Sequence, residues 1–417
     1  MLNKPISAIA KRVSSGLTPL RSNPDFWMNG TVPWLKTEQL GEKFIYSTKE
    51  KISEVALKKT SIKVYPPNTL SIAMYGEGKT RGNVSIIKSK MATNQACCNI
   101  ELDPELADSE YVYYFLKTQY NELRNLSSGV RKNLNSEDIK RFVVRLPEDL
   151  DDQKKIAAVL SVLDAKIDCN NRINAELEAM AKTLYDYWFV QFDFPDASGK
   201  PYKSSGGKMV YNATLKREIP EGWREGTLDD LGRIVGGSTP STEDPGNFTS
   251  HGTPWITPND LSDNQGNKFI SRGSQDVSDL GIKSASLKKY PIGTVLLSSR
   301  APIGYMAIAR TELTTNQGFK SFIPHDGYST AFIYYTVKGS LKTITQYASG
   351  STFKEVSAGV LKTVKIVLPD LNVVEQFTDS VTSIFKRQDV LEQENQQLAQ
   401  LRDWLLPLLM NGQVTVA

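Results

Sequence analysis

Histidine and cysteine are scarce in this 417-residue sequence, with two of the first and three of the second. His251 and His325 fall in no triad-like or His-Glu-x-x-His pattern, so histidine-dependent chemistry has few places to occur. Cys97 and Cys98 are adjacent and Cys169 is distant, a spacing that makes neither a disulfide framework nor a zinc set. No run approaches the roughly 20 apolar residues of a membrane span. The opening MLNKPISAIAKRVSSG has no long apolar core and no small-residue cleavage site. No signal peptide and no membrane association are therefore expected, and the expected compartment is a reducing cytoplasm. A 40% hydrophobic and 23% charged composition excludes global disorder, and the length suits two or three domains.

Enzyme signatures are equally thin. Ala73-Met-Tyr-Gly-Glu-Gly78-Lys79-Thr80 fits a loose phosphate-binding loop with Ala in place of the first Gly. Such a loop needs a helix after it to receive the phosphates, whereas Arg81-Gly82-Asn83-Val-Ser-Ile-Ile87 reads as a turn into a strand. A basic β-hairpin loop is the better reading. There is no Asn-Pro-Pro-aromatic or Asp-Pro-Pro-aromatic motif and no glycine-rich S-adenosylmethionine loop; Pro66-Pro67 has the wrong order, and Pro195-Asp196 lacks the acidic-x-Lys of a nuclease core. The expectation is no catalytic centre and no metal site, with a degenerate methyltransferase or P-loop enzyme kept as an alternative.

What the sequence does have is a repeat. Gly16-Leu-Thr-Pro19 returns as Gly237-Ser-Thr-Pro240, and Pro33-Trp34 as Pro254-Trp255. Thr93-Asn94-Gln95 returns as Thr315-Asn316-Gln317, Tyr113-Tyr114 as Tyr334-Tyr335, Ser128-Gly129 as Ser349-Gly350, and Leu146-Pro147 as Leu368-Pro369. The shift is always 221 or 222 and the order is kept, which chance does not produce. Each unit runs from a Gly/Thr/Pro-rich loop through short strand-like runs (Thr69–Ala73, Val84–Ile87; Thr294–Leu297, Met306–Ala309) to a short aromatic helix (Tyr111–Leu116; Ala331–Val337). A last strand (Phe142–Leu146; Val364–Leu368) then ends at a proline. The expected fold class is α+β, with two similar domains and a pseudo-two-fold internal repeat.

Behind each unit the apolar period changes to 3.5. Ile156, Leu160, Leu163, Ile167, Asn170, Asn174, Leu177, Ala181, Leu184 and Trp188 form one seam. Phe377, Val381, Ile384, Gln388, Leu391, Asn395, Leu398, Arg402, Leu405 and Leu409 form its copy. This is a coiled-coil pattern, in which amides such as Asn174 and Asn395 fix register. Neither segment contains Gly or Pro between Ile156 and Trp188 or between Phe377 and Leu406. Each therefore predicts a helix on the order of 50 Å long at about 1.5 Å per residue. Two such helices can pair antiparallel and act as a ruler between the domains. Residues 193–220, with Ser204-Ser-Gly-Gly207, read as a linker.

Charge follows the same division. Residues 1–150 carry a surplus of six positive charges and 201–370 a surplus of four, while 151–200 and 371–417 are each three negative. Basic domains alternating with acidic helices suit a nucleic-acid binder. Candidate DNA contacts are Lys36, Thr37, Glu38, Lys79, Arg81, Arg131 and Lys132 in the first unit, and Thr257, Asn259, Arg300, Thr352 and Lys354 in the second. Arg and Lys can bond guanine or phosphate, and Asn, Gln and Glu read other base edges. Loops at matching places differ, Lys-Thr-Glu-Gln against Thr-Pro-Asn-Asp, so the units should read different sequences. The identical Thr-Asn-Gln triplets are expected to be structural. A tether of two protein-binding modules is the remaining alternative.

These features together resemble the specificity (S) subunits of Type I restriction–modification systems, over nearly the whole chain. Ile219-Pro220-Glu221-Gly222-Trp223 is similar to the family's opening of a recognition domain. The first block lacks Pro-x-Gly-Trp and starts some fifteen residues before Gly16, so its opening strand is expected to be short or missing. The resemblance implies target-recognition domains at 1–150 and 221–370, helical spacers at 151–192 and 371–417, and a linker at 193–220. It implies a non-catalytic subunit reading a bipartite target in double-stranded DNA. Its implied partners are two methyltransferase (M) subunits, with or without two restriction–translocase (R) subunits. No cofactor is implied on this chain: S-adenosylmethionine belongs to M, and ATP and Mg to R.

Overall fold

Each long helix starts behind a proline and an aspartate. Asp149 and Asp370 accept hydrogen bonds from the backbone N–H of Asp151 and Asn372, both at 2.8 Å, satisfying donors that a helix start leaves free. The helices run Leu150–Tyr185 and Leu371–Met410. The first continues into a π-helical turn, Asp186–Val190, and the chain then turns at Phe192, whose φ of 69° is left-handed. The second carries Pro407 near its end.

The computed structural model describes residues 1–76, 80–126, 133–300, 302–348 and 355–416. The chain divides into two compact units, residues 1–167 with 397–417, and residues 168–396, each holding one part of each long helix.

The first unit contains a five-stranded sheet in the order Ala10–Ser15, Cys97–Leu102, Leu70–Ala73, Val84–Ile87, Phe44–Ile45. The last pairing is parallel and the others antiparallel. Leu70–Ala73 and Val84–Ile87 are buried on both faces, which their apolar and serine side chains permit. They form a hairpin, with the Gly82 N–H bonded back to the Ala73 carbonyl at 2.9 Å. No helix follows Thr80, so the phosphate-loop requirement fails here. A four-stranded sheet, Glu50–Ile52, Val32–Leu35, Met91–Thr93, Val64–Tyr65, lies alongside in sequence. Helix Ser109–Thr118, capped by Asp108, buries Tyr111 to Leu116 in the core with Ile72, Ile86 and Ile100.

The second unit repeats the five-stranded order: Gly232–Val235, Ser321–Pro324, Val295–Leu297, Met306–Ala309, Phe269–Ile270. Its helix Thr330–Gln346, capped by Ser329, buries Phe332 to Val337. The five-stranded sheet of the α+β repeat is thus reproduced strand by strand.

Every seam position expected from the sequence is buried or half-buried. In the first unit Ile156 and Leu160 share a core with Leu409 and Met410, and Arg402 donates to Asp164 at 3.0 Å. In the second, Asn170 Nδ2 donates to Asn395 Oδ1 at 2.9 Å, and Gln388 Nε2 to the Asn174 carbonyl at 3.2 Å. Numbers rising on one helix meet numbers falling on the other, so the pairing is antiparallel. Asn395 also donates to Asn171 at 2.8 Å, so its amide partners are Asn170 and Asn171, one turn before Asn174.

Two expectations are corrected. The first unit does have its opening strand: Leu2–Pro5 pairs antiparallel with Val143–Leu146, as Arg224–Thr227 does with Lys365–Leu368. Trp223, the residue missing from the first copy, packs on Phe192 and Phe194, so the strand itself does not need it. The segment 193–220, read as a linker, contains a hairpin, Met209–Asn212 with Arg217–Pro220. Phe194 stacks between Tyr202 and Trp223, with ring centroids 4.7 and 4.9 Å away, which holds the serine- and glycine-rich stretch in place.

Candidate nucleic-acid interface

The repeated motifs meet at one place in each unit. A Cβ on Gly16 would lie 2.2 Å from the Thr93 carbonyl oxygen, and one on Gly237 2.0 Å from that of Thr315, so only glycine lets the Thr-Asn-Gln loop approach. Thr18 Oγ1 donates to Gln95 Oε1 and Thr239 Oγ1 to Gln317 Oε1. The tryptophan of each Pro-Trp pair donates its indole N–H to the Gly-x-Thr-Pro loop, Trp34 to the Leu17 carbonyl at 3.1 Å and Trp255 to that of Ser238 at 3.0 Å. The triplets are structural, locking three loops into a common base.

On that base stand the loops read as DNA-contacting. Thr37–Gln39 forms one 3-10 turn after Val32–Leu35, and Pro258–Asp263 a short helix after Thr253–Ile256. Lys36 Nζ lies 3.1 Å from Glu38 and 2.6 Å from Glu50, which also binds Arg21 at 2.5 Å. The bonds from Arg21 and Lys36 hold Glu50 below the usual carboxylate range, and the bond to Glu50 raises Lys36. Arg21 lies over the Trp27 ring at 3.7 Å. Thr257 is committed to a reciprocal cap, donating to Asp260 Oδ2 at 2.6 Å, while Asn259 is exposed. Arg300 sits 4.0 Å from Glu355, which also faces Lys320 at 3.6 Å. Arg81 is half-buried in the turn before Val84–Ile87 of the five-stranded sheet, whereas Lys36 to Glu38 follow Val32–Leu35 of the four-stranded one. Lys79, Arg131, Lys132, Thr352 and Lys354 lie outside the described residues.

Sequence reasoning missed the side chains that fix each sheet to the long helices. In the second unit Lys268, 4% exposed, reaches Glu178 at 2.6 Å, Gln388 at 2.7 Å and the Tyr335 hydroxyl at 3.0 Å, with the Phe385 ring 3.8 Å away. Burial pulls the ammonium down to about 8, which leaves it charged at neutral pH. Burial pushes Glu178 up, but Lys268 and Lys338 outweigh it and hold the carboxylate below its usual range. Glu392 accepts the backbone N–H of Lys268 at 2.7 Å and of Phe269 at 3.1 Å, and burial lifts its carboxyl to about 6. In the first unit Lys43 holds the same place, 2.8 Å from Glu110 and from Ser161 and 2.9 Å from the Tyr114 hydroxyl, which donates to Asp164.

A family model described as the Type I restriction modification DNA specificity domain matches residues 5–179 and again residues 220–400. The chain belongs to the Type I restriction–modification DNA specificity family. It is similar to the Type I restriction enzyme MjaIX specificity subunit of Methanocaldococcus jannaschii, 40% identical over 186 residues that make up 42% of each chain. It thus spans less than half the length of that relative. It is also similar to the HindI specificity subunit of Haemophilus influenzae, 26% identical over 336 residues covering 69% of this chain and 72% of that one. The fold matches the crystal structure of a Type I restriction–modification S subunit from M. genitalium, with a TM-score of 0.61, 16% identity and coverage of 98% and 95%. The chain carries two copies of the DNA specificity domain. No helix among the described residues is long and apolar enough to cross a membrane.

The anchoring lysines of the specificity domains had a signal in the sequence. Lys43-Phe44-Ile45 and Lys268-Phe269-Ile270 are identical tripeptides, but they are 225 residues apart. Four extra residues before Lys268 move them off the common shift.

Proposed function

We propose that the two specificity domains read the two halves of a bipartite double-stranded DNA target, with the antiparallel long helices setting the separation of the halves. The observation that carries this is one scaffold bearing two loop chemistries at the same point, Lys36-Thr37-Glu38-Gln39 in one copy and Thr257-Pro258-Asn259-Asp260 in the other. The candidate contacts of the first domain are Lys36, Glu38, Arg81 and the basic residues Lys79, Arg131 and Lys132. Those of the second are Asn259, Arg300, Thr352 and Lys354. The chain recruits two M subunits, with or without two R subunits, inside the cell. Adenine methylation then belongs to M with its S-adenosylmethionine, and ATP- and Mg-dependent steps belong to R. The target base has to leave the stack for that chemistry, so the domains hold distorted DNA.

Long-read methylome sequencing of the host with and without this gene tests the reading. A split adenine-methylation motif that vanishes with the gene is the expected result and gives both half-sites. An unchanged methylome, with no DNA binding by the reconstituted complex, refutes it.

A further inference from the structure

An arginine occupies the same position of the first sheet strand in both specificity domains, in opposite electrostatic states. In the first, Arg12 on Ala10–Ser15 is the cross-strand neighbour of Glu101 and is ion-paired to it, with its guanidinium 5.4 Å from the Tyr65 ring centre. In the second, Arg233 on Gly232–Val235 has Ile323 as its cross-strand neighbour. Isoleucine stands where the acid would be. Among the described residues no carboxylate lies within 4 Å of Arg233.

Arg233 lines a cleft of ≈ 350 Å³ together with Gly236, Gly237, Ser238, Ser286 and Lys288. Among the described residues no Asp or Glu lines this cleft. Lys288 is exposed and likewise has no carboxylate within 4 Å among the described residues. Tyr290 donates to the Gly236 carbonyl at 2.6 Å and so fixes one wall. Two cations without counter-charge, two serine hydroxyls and a glycine-bordered main chain are the chemistry that takes a phosphate oxygen cluster: the cations supply charge, the hydroxyls hydrogen bonds, and the glycines room.

The cleft also sits on the reading rim. Its Gly237-Ser238 wall is the segment against which Thr315 and Asn316 pack, and the Asn316 N–H bonds the Ile256 carbonyl at 3.0 Å, one residue before Thr257. Resting on the DNA reading above, we propose that Arg233 and Lys288 hold a backbone phosphate of the DNA read by the second specificity domain, a contact that the neutralised Arg12 does not make in the first. The two domains then contribute unequally to affinity.

The test is the salt dependence of binding. The chain assembled with its methyltransferase partner is titrated onto a labelled duplex carrying the methylated motif and onto a scrambled duplex, between 50 and 300 mM salt. Variants are Arg233→Gln with Lys288→Gln, and Arg12→Gln as the paired control, each checked by thermal unfolding. Loss of one phosphate contact lowers the slope of log K against log salt by about 0.9. The double variant should show that fall on both duplexes and keep the wild-type preference between them, while Arg12→Gln keeps the wild-type slope. An unchanged slope in the double variant overturns the proposal, as does lost sequence preference at constant slope, which would make these residues base readers. Wild-type complex that binds neither duplex overturns the DNA reading itself, and this inference with it.

Discussion

Replacing Lys268 by methionine keeps the aliphatic stem and deletes the charge. Glu178 then loses its 2.6 Å partner but retains Lys338 at 2.7 Å and the Tyr335 hydroxyl at 2.9 Å. Removing one side of a buried pair usually destabilises by about 3–5 kcal/mol. Because Glu178 remains paired, a loss of about 2 kcal/mol, below that range, is expected. With a slope of roughly 2.5 kcal/mol per molar urea, the midpoint of the second unit should fall by about 0.8 M. Hydrogen–deuterium exchange of peptides around Phe269 and Ile270 across a urea series isolates this unit from the first. Adding Glu178→Gln should recover part of the loss, because a half-buried carboxylate left with one cation in place of two is part of what destabilises. The pH profile provides a second handle. Lys268 titrates at about 8 when folded, against 10.5 as its reference value. The unfolded chain therefore binds the extra proton between those limits, and the contribution of Lys268 to stability rises with pH in that window. The methionine variant should lack this rise. A Lys268→Met midpoint within 0.2 M of wild type, or losses that simply add in the double variant, would refute the reasoning.

Three further outcomes follow from the geometry. Gly237→Ala puts a Cβ 2.0 Å from a backbone oxygen and should destabilise the second unit by at least about 3 kcal/mol, whereas Gly236→Ala, whose nearest atom is 3.5 Å away, should melt like wild type; equal melting curves would refute the close-approach argument. Burial pushes Cys97 and Cys98 up to about 12, so at pH 8 a thiol reagent should titrate no more than Cys169 in the folded chain and all three on unfolding; rapid reaction of two thiols in the native state would contradict it. Inserting four residues into Leu150–Tyr185 should change the separation of the methylated half-sites and leave their sequences intact, and new half-site sequences in the methylome would exclude a ruler.

The parts of the fold legible in the sequence were those with a period or a fixed shift. The seam from Ile156 to Leu184 declared itself because apolar residues recur every three or four positions. The Gly16–Thr93 and Gly237–Thr315 approaches could be suspected from duplicated motifs, although which loops touched could not. The Lys-Phe-Ile tripeptide marks Lys268 as a duplicated position but not its role, which lies in Glu178, Tyr335 and Gln388, contributed by three helices distant in sequence. The role of Thr257 as a cap was likewise open, since a threonine before Pro-Asn-Asp serves equally as a base reader or a helix start. The opening strand Leu2–Pro5 was discounted for want of a tryptophan that turned out to pack elsewhere.

The two anchoring lysines also bear on how such a chain can be reshuffled. Lys43 is received by Glu110, from its own domain, and by Ser161 of the first long helix; Lys268 is received by Glu178 of the first helix and Gln388 of the second. The copies have drifted into different sockets. The second domain grafted without these helices would bring Lys268 to a surface that lacks Glu178 and Gln388, leaving a buried cation unmatched, whereas Lys43 carries Glu110 with it and loses only the Ser161 bond. Exchange between relatives is then least damaging when a domain travels with the helix segment that receives its lysine, and the fault lines for recombination fall inside the long helices and not at the ends of the domains.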